Sequence, residues 1–125
     1  MKIEEAMNKA VVIEQNLSLK QASKVMASKN RESLVVMKGE KIVGIITEGD
    51  VSSNSGSLGN AVSSVMSKTV VTIDKDETLD NAAILMKKNK IKSLPVLEKE
   101  KLVGMITADD LLANSNELNE EFLFD

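Results

Sequence analysis

The sequence predicts an α+β fold in which two β-α-β-β-α copies, with small mixed sheets and flanking helices, pack around a pseudo-twofold axis. Three observations lead there. Shifting the chain by 60 residues superposes thirteen identities over the 32 positions from Leu19 to Asp50, without a gap, so the chain is an internal duplication. Each copy then runs through one order of patterns: a short β-rich run, a helical stripe and two apolar strands. A single copy would bury only one face of its sheet, which obliges the two to pack together as one folding unit.

The elements follow in order. Residues 1–9 are charged, with Ile3, Ala6 and Met7 as an apolar lead-in; Val62, Val65 and Met66 repeat that part in a short helix over Ala61 to Met66. A strand follows at Val11 to Ile13, and again at Val70 to Ile73. Near the start the two copies align at a shift of 59, so one residue is gained before Leu79, which suggests a surface turn between two elements that both copies retain. The helices carry Leu19, Ala22, Val25 and Met26 in one copy and Leu79, Ala82, Leu85 and Met86 in the other. Ser18 with Gln21 forms a capping box, Thr78 with Asn81 a simpler cap, and the helices end near Asn30 and Asn89. Two strands complete each copy, Ser33 to Met37 with Lys41 to Thr47 and Leu94 to Leu97 with Lys101 to Thr107. Loops of about three residues, Lys38-Gly39-Glu40 in the first copy, join them as hairpins. The last strands are apolar at nearly every position, which predicts cover on both faces. Gly44 and Gly104 inside them suggest close approach of a helix or backbone, or simply the relatedness of the copies.

Composition narrows the function. The chain has 125 residues, 42% hydrophobic and 28% charged, with a net charge of -3, which suits a globular core and excludes a multidomain enzyme. It contains no His, Cys, Trp or Tyr, removing thiol and imidazole chemistry and the usual transition-metal ligands. No spacing identifies an activated Ser or Thr, so the expectation is a non-enzyme without a metal site. Scattered lysines and only two phenylalanines, Phe122 and Phe124, argue against nucleic acid. The absence of a long apolar run and of a signal-peptide pattern leads to a cytoplasmic expectation with no membrane partner. Residues 111–125 hold four acids and no base, and Phe122 and Phe124 there could dock a partner or simply fray.

The segments Ile91-Lys92-Ser93-Leu94-Pro95-Val96 and Leu102-Val103-Gly104-Met105-Ile106-Thr107-Ala108-Asp109-Asp110-Leu111, with their first-copy counterparts ending in Thr47-Glu48-Gly49-Asp50-Val51, resemble the CBS motif. The whole chain is similar to a tandem CBS pair, or Bateman module, over about residues 5 to 113. The resemblance divides it into a first motif at 1–57, a second at 58–114 and an acidic tail at 115–125. It implies adenosine compounds (AMP, ADP, ATP or S-adenosylmethionine) in two clefts between the motifs, a homodimer, and an effector protein as the regulated partner. Carried onto this chain, Asp50 and Asp110 contact ribose, and Thr47 and Thr107 contact ribose or phosphate. Ala10 to Val12, Thr69 to Val71, Ile91, Lys92 and Pro95 line adenine. Thr47 and Asp50 would share a cleft with the Val71 and Pro95 surfaces, and Thr107 and Asp110 with Val12 and Arg31 to Val35. Gly49 and Asp109 stand where relatives often carry Arg, and Val35 stands where the second copy has Pro95; these departures point to the alternative of a dimerisation module with vestigial clefts.

The residues themselves permit two readings. An ionised Asp three positions after a strand-end Thr can accept both vicinal hydroxyl hydrogens of a ribose, while the Thr hydroxyl and helix N–H groups face phosphate. The same Thr-x-x-Asp is a capping box. Lys92 and Arg31, the single arginine, are phosphate partners or solvated cations. Pro95 shapes an adenine wall, or sits at a strand start or edge where its missing N–H does no harm. Met7, Met26, Met66 and Met86 read as adaptable core.

Overall fold

The computed structural model describes residues 1–118; the expectation for Phe122 and Phe124 lies outside them. Two compact units divide the chain, one formed by Val11–Val70 and the other by Met1–Ala10 together with the chain from Val71 onward. Each holds a three-stranded mixed sheet. In the first unit the order is β1 (Val12–Glu14), β2 (Ser33–Lys38), β3 (Lys41–Thr47), with β1 parallel and β3 antiparallel to the central β2. In the second, β4 (Ile73–Asp74), β5 (Ser93–Glu98) and β6 (Lys101–Thr107) repeat that order and those directions.

The helices form where the apolar stripes lie. After α1 (Ile3–Ala6), α2 (Leu19–Lys29) buries Leu19, Ala22 and Met26, and α4 (Leu79–Asn89) buries Leu79, Ala82 and Met86. Ser18 and Gln21 make the full capping box, whereas Thr78 accepts only from Asn81 N–H. Both helices end on a left-handed residue, Asn30 (φ 54°) and Lys90 (φ 54°), which turns the chain into the central strand. Short helices α3 (Glu48–Ser53) and α5 (Ala108–Ala113) follow the last strands. The expected helix over Ala61 to Met66 shrinks to a single 3-10 turn at Val62–Ser64.

Lead-in segments finish the cores. Ile3 is fully buried with Leu79, Leu94, Val96 and Ile106 in the second unit. Its N–H donates to Glu77 O at 2.8 Å and Glu4 N–H to Lys75 O at 3.0 Å, which pins α1 beside the turn before α4. Val62 does the same in the first unit, its N–H donating to Leu17 O at 2.7 Å. Compact units and sequence repeats are therefore offset, because each unit takes the lead-in that precedes the other unit's repeat.

The repeated glycines have a steric cause. A Cβ on Gly104 would lie 2.6 Å from Met7 Sδ and 3.0 Å from Asn8 O; on Gly44 it would lie 2.5 Å from Met66 Sδ and 2.9 Å from Ser67 O. Asn8 bridges to Met105 and Ser67 to Ile45 as isolated antiparallel pairs, so the lead-in backbones run close alongside the outer edges of these strands. The recurrence of Met7 and Met66 is the other half of this contact.

Three further expectations are corrected. The hairpin loops have two residues, not three, since Lys38 pairs with Lys41 and Glu98 with Lys101. The last strands are not covered throughout: the register slips between Val36 and Met37 and between Val96 and Leu97, the bulge leaves Val43 and Val103 unpaired, and Val103 is 36% exposed. Pro95 sits neither at a strand start nor at an edge; it is the fully buried third residue of the central strand β5. The one-residue gain before Leu79 falls ahead of β4, because Ile13 and Ile73 face Val36 and Val96 at equivalent places. Pro95 explains this last shift. Val35 N–H donates to Val11 O at 3.0 Å, and proline has no N–H to make the matching bond, so residues before Ile73 leave the ladder and tolerate an insertion there.

Candidate functional site

Each Thr-x-x-Asp segment stands where a strand becomes a helix. Thr47 ends β3 and caps α3: its hydroxyl accepts from Asp50 N–H at 3.1 Å, and its own N–H donates to Asp50 Oδ2 at 2.9 Å. Thr107 and Asp110 repeat both bonds at 3.2 and 2.9 Å. The capping reading thus holds for both copies. It fastens one carboxylate oxygen of each Asp and leaves both side chains only half-buried, so the cap and a ligand contact are compatible.

The helix starts are braced from behind. Glu48 N–H donates to Glu32 O at 3.0 Å and Ala108 N–H to Lys92 O at 2.8 Å, so the residue before each central strand is tied to the turn that carries the Asp. In the second copy that residue is the exposed Lys92, and in the first it is the exposed Glu32. Local charge therefore differs between the copies although the backbone is the same.

The remaining expected residues are spread over the two units. Val12 begins β1 and is 48% exposed, apolar surface of the kind a purine can cover. Thr69 is exposed, while Ala10 and Val71 are half-buried in segments outside any strand. Val71 and Ile91 pack against the core of the second unit. Arg31 is half-buried, its N–H donating to Met26 O at 2.9 Å behind the helix end. Pro95 is sealed in the sheet and offers no open surface.

Sequence reasoning missed three side chains. Asn54 and Asn114 donate their amides to the carbonyls of Asp50 and Asp110 at 2.7 and 2.8 Å. They match at the same 60-residue shift, as do Leu58 and Leu118, which pack against the two cores. That recurrence of Asn54 as Asn114 was the available signal. Asn8 is the third: its amide donates to Asp110 Oδ1 at 2.8 Å across 102 residues of sequence, and no local pattern announces it.

A groove of about 350 Å³ lies elsewhere, lined by Thr72, Ile73, Asp74, Glu77, Asn81, Ile84 and Leu85. It shares no residue with the Thr-x-x-Asp segments, and Asp74 and Glu77 would repel an anionic ligand. Among the described residues no group of three or more acidic side chains could hold a metal ion, and no helix is long and apolar enough to cross a membrane.

With this geometry in place, the duplicated strand-helix corner meets its counterpart in known proteins: the family model "CBS domain" matches residues 3–55 and 62–117. This chain belongs to the CBS domain family. Among solved structures, it is similar to the CBS domain protein NE2398, with 28% identity and a TM-score of 0.86 over 93% of this chain and 98% of that one. It is also similar to the CBS domain pair of protein MJ0100 in complex with 5′-methylthioadenosine and S-adenosyl-L-methionine, at 26% identity and TM-score 0.87, covering 93% and 96% of the two chains. A homoserine O-acetyltransferase of Methanohalobium evestigatum is 33% identical over 112 residues, 88% of this chain but 22% of that protein. The CBS chain spans between about a fifth and a third of the first curated relatives it matches, and the enzyme names belong to those longer proteins.

Proposed function

We propose that this chain is a regulatory module that binds an adenosine compound, such as AMP, ADP, ATP or S-adenosylmethionine, at its Thr-x-x-Asp corners, and so alters its pairing with an effector protein. The observation that carries this reading is the half-used carboxylate of Asp50. Its Oδ2 holds the cap, while among the described residues no side chain donates to Oδ1, which can accept ribose hydroxyls. The MJ0100 pair, crystallised with two adenosine compounds, supports the choice of ligand class. In this reading Thr47 and Asp50 make the ribose contacts of one copy, Thr107 and Asp110 those of the other, and Lys92 supplies a cation. The mechanism is differential binding: the ligand favours whichever conformation of the module holds it more tightly.

Calorimetry of the full chain with AMP, ATP, S-adenosylmethionine and 5′-methylthioadenosine tests the reading. Asp50→Asn keeps a side-chain oxygen for Thr47 N–H but loses the charge. It is expected to weaken first-copy binding roughly tenfold or more with little change in melting temperature, because hydrogen bonds to a charged group contribute about 1.5–3 kcal/mol. No heat and no thermal shift with any of the four at millimolar concentration would overturn it.

The module is further proposed to work in the cytoplasm as a homodimer. Ile84 and Leu112, 45% and 64% exposed on α4 and α5, support a second reading as a dimerisation module with vestigial grooves. Sedimentation separates the two: concentration-dependent association indifferent to all four compounds favours the second.

A further inference from the structure

The two Thr-x-x-Asp copies share a backbone but not their surroundings, and the difference lies in one side chain. Asn8 is held by two main-chain bonds, N–H to Met105 O at 2.9 Å and O from Met105 N–H at 2.8 Å. From that anchor its amide donates to Asp110 Oδ1 at 2.8 Å, while Thr107 N–H occupies Oδ2 at 2.9 Å. Both oxygens of Asp110 thus carry a protein donor. The structurally equivalent residue beside the Asp50 copy is Ser67, which exchanges the same two main-chain bonds with Ile45 at 2.9 and 3.0 Å. Its short side chain turns instead to Thr69 O at 3.4 Å. Among the described residues, Asp50 Oδ1 receives no such amide.

We propose that Asn8 is an intramolecular plug that occupies the Asp110 carboxylate and makes the first copy, at Asp50, the one an adenosine compound fills first. This rests on the adenosine reading above and adds an order of occupancy to it. A ribose diol approaching Asp110 meets an Oδ1 already held by the Asn8 amide and must compete with it for position and acceptor capacity, whereas at Asp50 it meets an Oδ1 with no side-chain amide on it among the described residues. The plug also joins the second site to the lead-in: ligand at Asp110 would release the Asn8 side chain, and any event that lifts the lead-in would open Asp110.

The test is a titration of the isotope-labelled full chain with AMP and with S-adenosylmethionine, following the amide signals of Thr47 to Asp50 and of Thr107 to Asp110 separately. The wild type is expected to respond at the Asp50 copy first, with the Asp110 copy roughly tenfold weaker. Asn8→Ala should strengthen the Asp110 copy about tenfold and leave the Asp50 copy unchanged. Ser67→Asn places the amide on the equivalent anchor and should weaken the Asp50 copy in turn. Equal affinities at both copies in the wild type, unmoved by either variant, would overturn the plug and leave the adenosine reading standing. Weaker binding at Asp110 in Asn8→Ala would also overturn it, since Asn8 would then be orienting the carboxylate for the ligand. Silence of both copies in wild type and both variants would overturn the adenosine reading and the plug together.

Discussion

Lys99 and Glu100 occupy a turn that glycine or asparagine fills at lower cost. Their φ angles are 48° and 68°, left-handed at both central positions of a two-residue hairpin, where Cβ crowds the following carbonyl. Replacing the pair by Asn-Gly is expected to stabilise the protein by about 1 kcal/mol, seen as a rise of several degrees in melting temperature. The first hairpin already carries Gly39 at φ 63° and serves as the comparison: Gly39→Ala should destabilise. Gly104 makes an opposite demand. Its φ is ordinary, but Met7 Sδ would lie 2.6 Å from an added methyl group and Asn8 O 3.0 Å, so Gly104→Ala is expected to cost about 1–3 kcal/mol by chemical denaturation. Sequence reading inferred a close approach at Gly104 and could not say by what, since Met7 is nearly a hundred residues away.

Elements were legible where their causes are local. The stripe of Leu19, Ala22 and Met26, the Ser18 box and both Thr-x-x-Asp boxes depend on neighbours within one or two helical turns, and they stand where the sequence placed them. Pro95 was misread because a proline is judged by its own strand, whereas its tolerance here depends on which neighbour lacks a partner: β4 simply starts later than β1. The bulge that turns Val103 outward is likewise a property of a pair of strands. Helix α1 depends on a distant charge. Glu4 accepts from Lys75 Nζ at 3.1 Å, and this hydrogen bond, with the nearby Asp76, Glu4 and Glu98 charges outweighing desolvation, raises the Lys75 amine above its ordinary 10.5. A raised amine pKa means the folded state holds the proton more tightly, so the contribution is complete below 10.5 and fades as pH climbs through the higher folded value. Urea midpoints measured from neutral to strongly alkaline pH should therefore separate wild type from Lys75→Met at neutrality and converge at the alkaline end; a gap that stays constant would show that the charge is not responsible.

At the scale of the molecule, repeat and compact unit are different partitions of one chain. Residues 11–70 include Val62 and Met66 and so carry every buried member of their core, whereas the second unit needs Ile3 from the beginning of the chain. A fragment of residues 11–70 is expected to show helical circular dichroism and a melting transition, although a short chain of this length sits near the margin of independent stability. A fragment of residues 71–118 is expected to remain largely unfolded until a peptide of residues 1–10 is supplied; folding without that peptide would show that Ile3 is dispensable. The same arrangement orders events during synthesis. When Val70 has left the ribosome, the first sheet can close with everything it requires, but Ile3 and Met7, made earlier still, have no seat until β6 emerges. For the roughly two to seven seconds that translation of those further residues takes, a stretch made before the first sheet is the part still waiting, and its exposed Ile3 is what a chaperone would find.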